Sequence, residues 1–266
     1  MQIPNTALFM CLLTAACGII FPTILVFVWK KKTKQPLKPV VVGAAAFFLS
    51  AVVLKAIPAY FLLSPDNPVG RAILGNDYLY ALTAGILAGL FEETGRFIAF
   101  KLPLKESKDR ITALSYGIGH GGFEVMYIFL SLGLSYFAYG LMINSGQFDL
   151  LLAQAGENAR QMEALQALPQ TIASMSPLYL FMSLLERTSA VMFHIACSIL
   201  VFCAARDKKK LWLYPLAILL HLLLDLIPGL YQSGIINNMY LVEGILFLFA
   251  ALLLKGCYEL VYKKCK

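Results

Sequence analysis

Charge is scarce in this chain: of 266 residues only 14% are Asp, Glu, Lys or Arg, where a soluble domain carries about a quarter. A water-exposed globular surface of ordinary polarity is excluded. Histidine is scarcer still, with His120, His194 and His221 alone. Cys11, Cys17, Cys197, Cys203, Cys257 and Cys265 form no CxxC and lie mostly in apolar runs. That spacing argues against a cysteine zinc cluster or a disulfide framework, and free buried thiols are the expectation. Internal repeats and low-complexity tracts are missing as well.

Hydrophobic residues make up 59% of the chain, and they fall in runs. A bilayer core needs roughly 20 apolar residues in a helix. Seven stretches qualify: 7–29, 39–63, 77–100, 111–135 with an apolar extension to 143, 177–205, 211–231 and 238–262. Leu13-Thr-Ala-Ala-Cys17 resembles a lipoprotein cleavage box, but no basic segment precedes it and the apolar run continues to Trp29. It reads as the first span. The expected fold is all-α, a polytopic membrane bundle of about seven transmembrane helices in one domain over 1–266.

The net charge of +7 is not spread evenly. Lys30, Lys31, Lys32, Lys34 and Lys38 follow the first span, Lys101, Lys105, Lys108 and Arg110 the third, and Arg206, Lys208, Lys209 and Lys210 the fifth. Lys255, Lys263, Lys264 and Lys266 close the chain, while the alternate loops hold only Arg71 and Arg160. The positive-inside rule then predicts the N-terminus outside and the C-terminus in the cytoplasm. The basic excess marks a membrane side, so a multi-pass protein of a bacterial plasma membrane is expected, with the lipid bilayer as partner and no nucleic acid. The loop 144–176, with Gln154, Glu157, Gln161, Glu163 and Gln166, predicts a short amphipathic connector helix ending near Pro169, outside or on the outer surface.

The charges left inside the spans carry the functional signal. Lys55, Glu92, Glu93, Arg96, Glu124, Glu186, Arg187, Asp225 and Glu243 lie there, where each costs at least about 2.5 kcal/mol at a helix centre. They must be paired, neutralised or turned to a wet cavity. Spacing sorts them into helix faces: Glu92 and Arg96, His120 and Glu124, and His221 and Asp225 are each four apart, and Arg187 and His194 are seven apart. Glu93, His120, His194 and His221 also lie about 8 to 11 residues from the basic ends of their spans, roughly 12 to 17 Å into the core at 1.5 Å per residue. One depth on four helices predicts one polar site. Lys55 is expected to snorkel outward and Glu243 to be structural.

Three imidazoles with carboxylates suit a divalent metal of zinc type with one position left for water. A glutamate beside that water acts as general base, and a metal or an arginine stabilises the oxyanion of a cleaved amide, Arg96 and Arg187 both being in the set. Glycines at 117, 119, 121 and 122 clear side chains from around His120, which lets a neighbouring helix or a substrate backbone come close.

At Glu92-Glu93-x-x-Arg96, His120-Gly-Gly-Phe-Glu124, Glu186-Arg187 with His194, and His221-x-x-x-Asp225, the sequence resembles the YhfC family of bacterial intramembrane metalloproteases, over nearly the whole chain. That family is similar to a larger grouping with CAAX-processing proteases, bacteriocin-immunity proteins, PrsW proteases and the Aph scaffold of gamma-secretase. PrsW-type proteins carry EExxK, FxxxE and HxxxD; here Arg96 stands for the Lys and His120 for the Phe, and HxxxD is kept in His221 and Asp225. CAAX enzymes place three residues between the glutamate pair and the arginine and this chain places two, which leaves open which glutamate faces the site. The resemblance implies that Glu92, alone or with Glu93, activates the attacking water. It implies that His120, His194 and His221 bind zinc or stabilise the oxyanion, with Glu124 and Asp225 as further ligands or orienters. The expected substrate is a membrane-embedded protein or peptide. Two other readings use the same buried residues: an ion or divalent-metal transporter, and an inert scaffold or immunity protein.

Overall fold

The computed structural model describes residues 2–154 and 159–265, with helices and connections and no strand among them. The first apolar run folds as α1 (Asn5–Thr33). The second is one span in three parts: α2 (Lys38–Phe47), opened by Pro39 in its first turn, a π-helical segment Phe48–Leu54, and α3 (Ala56–Leu62). Next come α4 (Pro68–Leu74) and α5 (Asp77–Lys101), bent by 109° against each other. Asn67 and Asn76 cap them, their side chains accepting from the amides of Gly70 and Leu79, so each helix restarts where the chain turns.

The fourth run becomes α6 (Ile111–Asn144), using the whole apolar extension. Then follow α7 (Phe148–Gln154), α8 (Ala159–Ala173), α9 (Pro177–Arg206), α10 (Leu213–Gln232) and α11 (Met239–Gly256), with further π and 3₁₀ turns to Lys264. Among the described residues six helices are long and apolar enough to cross a membrane, and seven if α4 and α5 form one bent span. The glutamates of α5 lower its hydropathy, which is why it does not qualify unaided.

Two expectations are corrected. The connector helix does not end near Pro169: α8 runs through it to Ala173, with the Thr171 hydroxyl donating to the Ala167 carbonyl at 3.0 Å. Glu157 lies outside the described residues. The cysteines are not all free thiols either, since Cys203 and Cys265 form a disulfide with Cα atoms 5.8 Å apart. The partners are 62 residues apart, and only the folding back of the C-terminal turns brings them together.

The chain divides into two compact units, Met1–Thr23 with Val125–Leu184, and Ile24–Glu124 with Leu185–Lys266. The first has a core of Ile3, Leu8, Met10, Cys11, Ile172, Met175 and Leu180. It is clasped at one end, where the Ile3 amide donates to Asn144 Oδ1 at 2.7 Å and Asn144 Nδ2 donates back to the Ile3 carbonyl at 3.0 Å. The second is built round Phe100, Tyr116, Phe193, Ile199, Phe202, Ala217 and Leu246. It contains every ionisable residue of the expected site.

Candidate metal centre

Close helix contact puts the first histidine in place. A Cβ at Gly119 would stand 1.9 Å from the Val40 carbonyl oxygen, so only glycine lets α6 lie directly on α2 here. His120, the next residue, is thereby buried against Phe47 and Tyr116, with ring centroids 5.2 and 5.8 Å away. The imidazoles of α6, α9 and α10 then meet: His120 and His194 centroids lie 4.6 Å apart, and His194 and His221 centroids 5.6 Å apart. Phe193 closes one side, edge-on to His221 at 5.2 Å.

Within this cluster one set of groups is mutually bonded. Arg96 Nη1 donates to Glu93 Oε2 at 2.9 Å, with both side chains fully buried. Arg96 Nη2 reaches His194 Nδ1 at 2.9 Å. A guanidinium has no acceptor, so Nδ1 receives that bond and the ring's hydrogen belongs on Nε2. Nε2 faces Glu124 Oε2 in a short contact. Arg187 joins Glu124 at 2.7 Å and Glu186 at 2.6 Å. Both nitrogens of His194 are therefore engaged, by Arg96 on one side and Glu124 on the other.

The second set is looser. His221 Nδ1 meets Glu93 Oε1 at 2.8 Å, which in the neutral ring leaves the Nε2 lone pair free. That atom lies 3.9 Å from Glu92 Oε2 and 3.6 Å from Asp225 Oδ2. Glu92 Oε2 is also 3.2 Å from His120 Nε2. On the far side of His120, buried Nδ1 has no hydrogen-bond partner among the described residues. Glu92, His120 and His194 each present a ligand atom within 4.8 Å of the others.

Comparison with known proteins shows the family. Residues 17–246 match the family described as YhfC intramembrane metalloprotease. The chain belongs to the YhfC family. It is 31% identical, over 90% of its own length and 91% of the relative's, to a Bacillus subtilis (strain 168) protein called "Uncharacterized membrane protein YhfC". No solved structure matches it.

The donor set of this YhfC-family chain fits a divalent cation of zinc type. Nitrogen and carboxylate oxygen are the right ligand chemistry. A carboxylate, Glu93, stands behind His221 as carboxylates stand behind metal-bound histidines. Charge agrees too: among the described residues, the ion-paired network sets the five carboxylates of Glu92, Glu93, Glu124, Glu186 and Asp225 against the histidines and three fixed cations, Lys55, Arg96 and Arg187. With neutral imidazoles the network is two positive charges short, and a divalent ion supplies two.

The structure brings all the expected site residues together, but through different pairings. Of the two adjacent glutamates open to Arg96, Glu93, three residues away, is the one it pairs with. His120 turns to Glu92 on α5, and Glu124 to His194 and Arg187 on α9. Of the three pairs spaced four residues apart on one helix face, His221 and Asp225 come together, at 3.6 Å. The expected outward snorkelling of Lys55 is also corrected, since its Nζ lies 3.6 Å from Glu92 Oε1. The charge inside a span was the available signal, and its direction was not. Glu243 is buried with Oε2 unpartnered among the described residues.

Proposed function

We propose that this chain is a zinc-dependent intramembrane endopeptidase of the bacterial plasma membrane, cleaving a membrane-associated protein or peptide by Glu92-activated water. One observation carries the reading: Glu92 lies between His120 and His221, while the adjoining Glu93 is bound to Arg96 and His221. His120, His221 and Asp225 would hold the ion, with His194 fixed beside them by Arg96 and Glu124. Zinc, when bound, polarises the scissile carbonyl and makes its water more acidic. Glu92 takes the water's proton and returns it to the leaving amine. Glu93 sets the tautomer and direction of His221, and Arg96 holds Glu93. Phe47, Tyr116 and Phe193 keep bulk water away. The run of basic loops supports an N-terminus outside and a site nearer the cytoplasmic face.

The test is cleavage of an internally quenched, membrane-spanning reporter by purified chain in proteoliposomes. Glu92→Gln should lower turnover by about 10²- to 10⁴-fold with the fold intact; undiminished turnover would sink the proposal. Chelation should abolish activity and zinc should restore it. Zinc flux across the same vesicles without cleavage would mark a transporter, and a wild type with neither property a scaffold.

A further inference from the structure

The proposed reaction needs a hydrogen-bond donor where negative charge develops on the carbonyl oxygen. Two of the cluster's three cations have both terminal nitrogens engaged, although the buried Nε of each, Arg96 and Arg187, has no partner among the described residues. Arg96 gives its two terminal nitrogens to Glu93 and His194 and is fully buried. Arg187 gives its own to Glu124 and Glu186. Lys55 differs: its 3.6 Å approach to Glu92 Oε1 is an ion-pair separation longer than a hydrogen bond. All three ammonium donors are unassigned among the described residues, and 30% of the side-chain surface is open.

A local device aims this lysine. Residues 48–54 form a π-helical turn, and the Lys55 amide bonds back five residues to the Ser50 carbonyl at 3.0 Å. Such turns within α-helices are frequent at functional sites. The turn is held against α5: a Cβ at Gly95 would lie 2.7 Å from Ser50 Cβ, and the Ser50 hydroxyl donates to the Ala46 carbonyl at 2.6 Å. Gly95 is three residues, about one turn, from Glu92. Closing the wide turn by one residue would rotate Lys55 by about 100° about the helix axis, away from Glu92.

We infer that Lys55 is a catalytic residue of the proposed peptidase, the donor that binds the scissile carbonyl oxygen, and that the π turn exists to present it. The inference rests on the peptidase reading. As the oxygen of water adds to the carbonyl carbon, the carbonyl π pair moves onto the carbonyl oxygen and a water proton passes to Glu92. Lys55 donates hydrogen bonds to that oxyanion and keeps its protons. Re-formation of the carbonyl breaks the C–N bond, and the amine leaves with the proton from Glu92.

The experiment compares full-length wild type, Lys55→Gln, Lys55→Arg and a deletion of the exposed Val53, using reporter kinetics, zinc content and thermal unfolding in parallel. Lys55→Gln should lower kcat by about 10²- to 10³-fold, the loss seen when one oxyanion donor is removed, with KM and zinc content unchanged. Lys55→Arg, which restores a cation, should recover turnover to within about tenfold of wild type. The Val53 deletion should reproduce Lys55→Gln while still unfolding cooperatively and holding zinc. An active wild type matched in kcat by Lys55→Gln overturns the Lys55 role alone, as does a Lys55→Gln chain that loses its zinc. A wild type without turnover overturns the peptidase reading and the inference with it.

Discussion

Glu92 and Glu93 stand side by side on α5, yet their carboxylates meet different company. Glu93 takes Arg96 at 2.9 Å on one oxygen and His221 at 2.8 Å on the other. Glu92 has His120 at 3.2 Å on one oxygen and Lys55 at 3.6 Å on the other. The Glu93 half, extended through Arg96 and His194 to Glu124 and Arg187, has every carboxylate matched to a cation or an imidazole and is saturated in that sense, the buried Nε atoms of Arg96 and Arg187 alone being left without a partner among its described groups. The Glu92 half keeps lone pairs and donors in reserve. The contrast separates support from chemistry: a saturated polar network holds groups still, and an unsaturated one can accept an ion, a water or a substrate.

The largest effect should come from breaking the saturated half. Glu93→Gln leaves Arg96 as a buried guanidinium without its carboxylate, and losing one partner of a buried pair costs about 3–5 kcal/mol. Unfolding in detergent, by heat or denaturant, measures it. Replacing both partners, Glu93→Leu with Arg96→Met, should return most of that stability, because apolar side chains of similar volume often replace a buried pair at little cost. The same double variant should still bind zinc about 10- to 100-fold more weakly, since His221 has lost the carboxylate behind it. If the double variant is as unstable as the single, the Glu93 half is not a replaceable support and the division fails.

The next effect separates two histidines that sequence alone treats alike. His221→Ala should remove zinc binding, because it deletes a nitrogen of the proposed ligand set. His194→Ala should leave the ion bound with about 10- to 100-fold lower affinity, the usual consequence of losing an outer contact. Metal titration of the two purified variants decides; equal loss would make His194 a ligand and require Arg96 or Glu124 to release it.

Depth was legible in the sequence and direction was not. Counting residues from the basic end of each span places Glu93, His120, His194 and His221 at one level, and their side chains do meet. The boundaries of the long spans were readable from apolar runs, since bilayer thickness fixes span length, while α4, which lies between two such runs, and the passage of α8 through Pro169 were not. Rotation about each helix axis follows from contacts between helices, such as Gly119 on Val40. For that reason Glu92 and His120 meet across helices and Glu124 turns to His194, while Arg96 keeps Glu93 on its own helix and reaches His194 on α9. Lys55 escaped for a sharper reason: a π turn breaks the 3.6-residue period on which any reading of helix faces depends. The Cys203–Cys265 bond rests on a chain reversal that no local spacing records.

The smallest effect tests where the saturated half ends. Glu186 binds Arg187 at 2.6 Å, but its side chain is 30% exposed and Arg187 keeps Glu124 at 2.7 Å. Glu186→Gln therefore removes one of two carboxylates from an arginine that still has the other, at a partly open site where ion pairs contribute about 0–1 kcal/mol. Stability should fall by no more than that, with zinc affinity and reporter turnover unchanged. Glu124→Gln removes the inner carboxylate, which holds both Arg187 and His194, and should exceed it in every measurement. A Glu186→Gln loss as large as that of Glu93→Gln would mean that the arginine network acts as one unit to its outer edge, and the boundary between support and site would move outward with it.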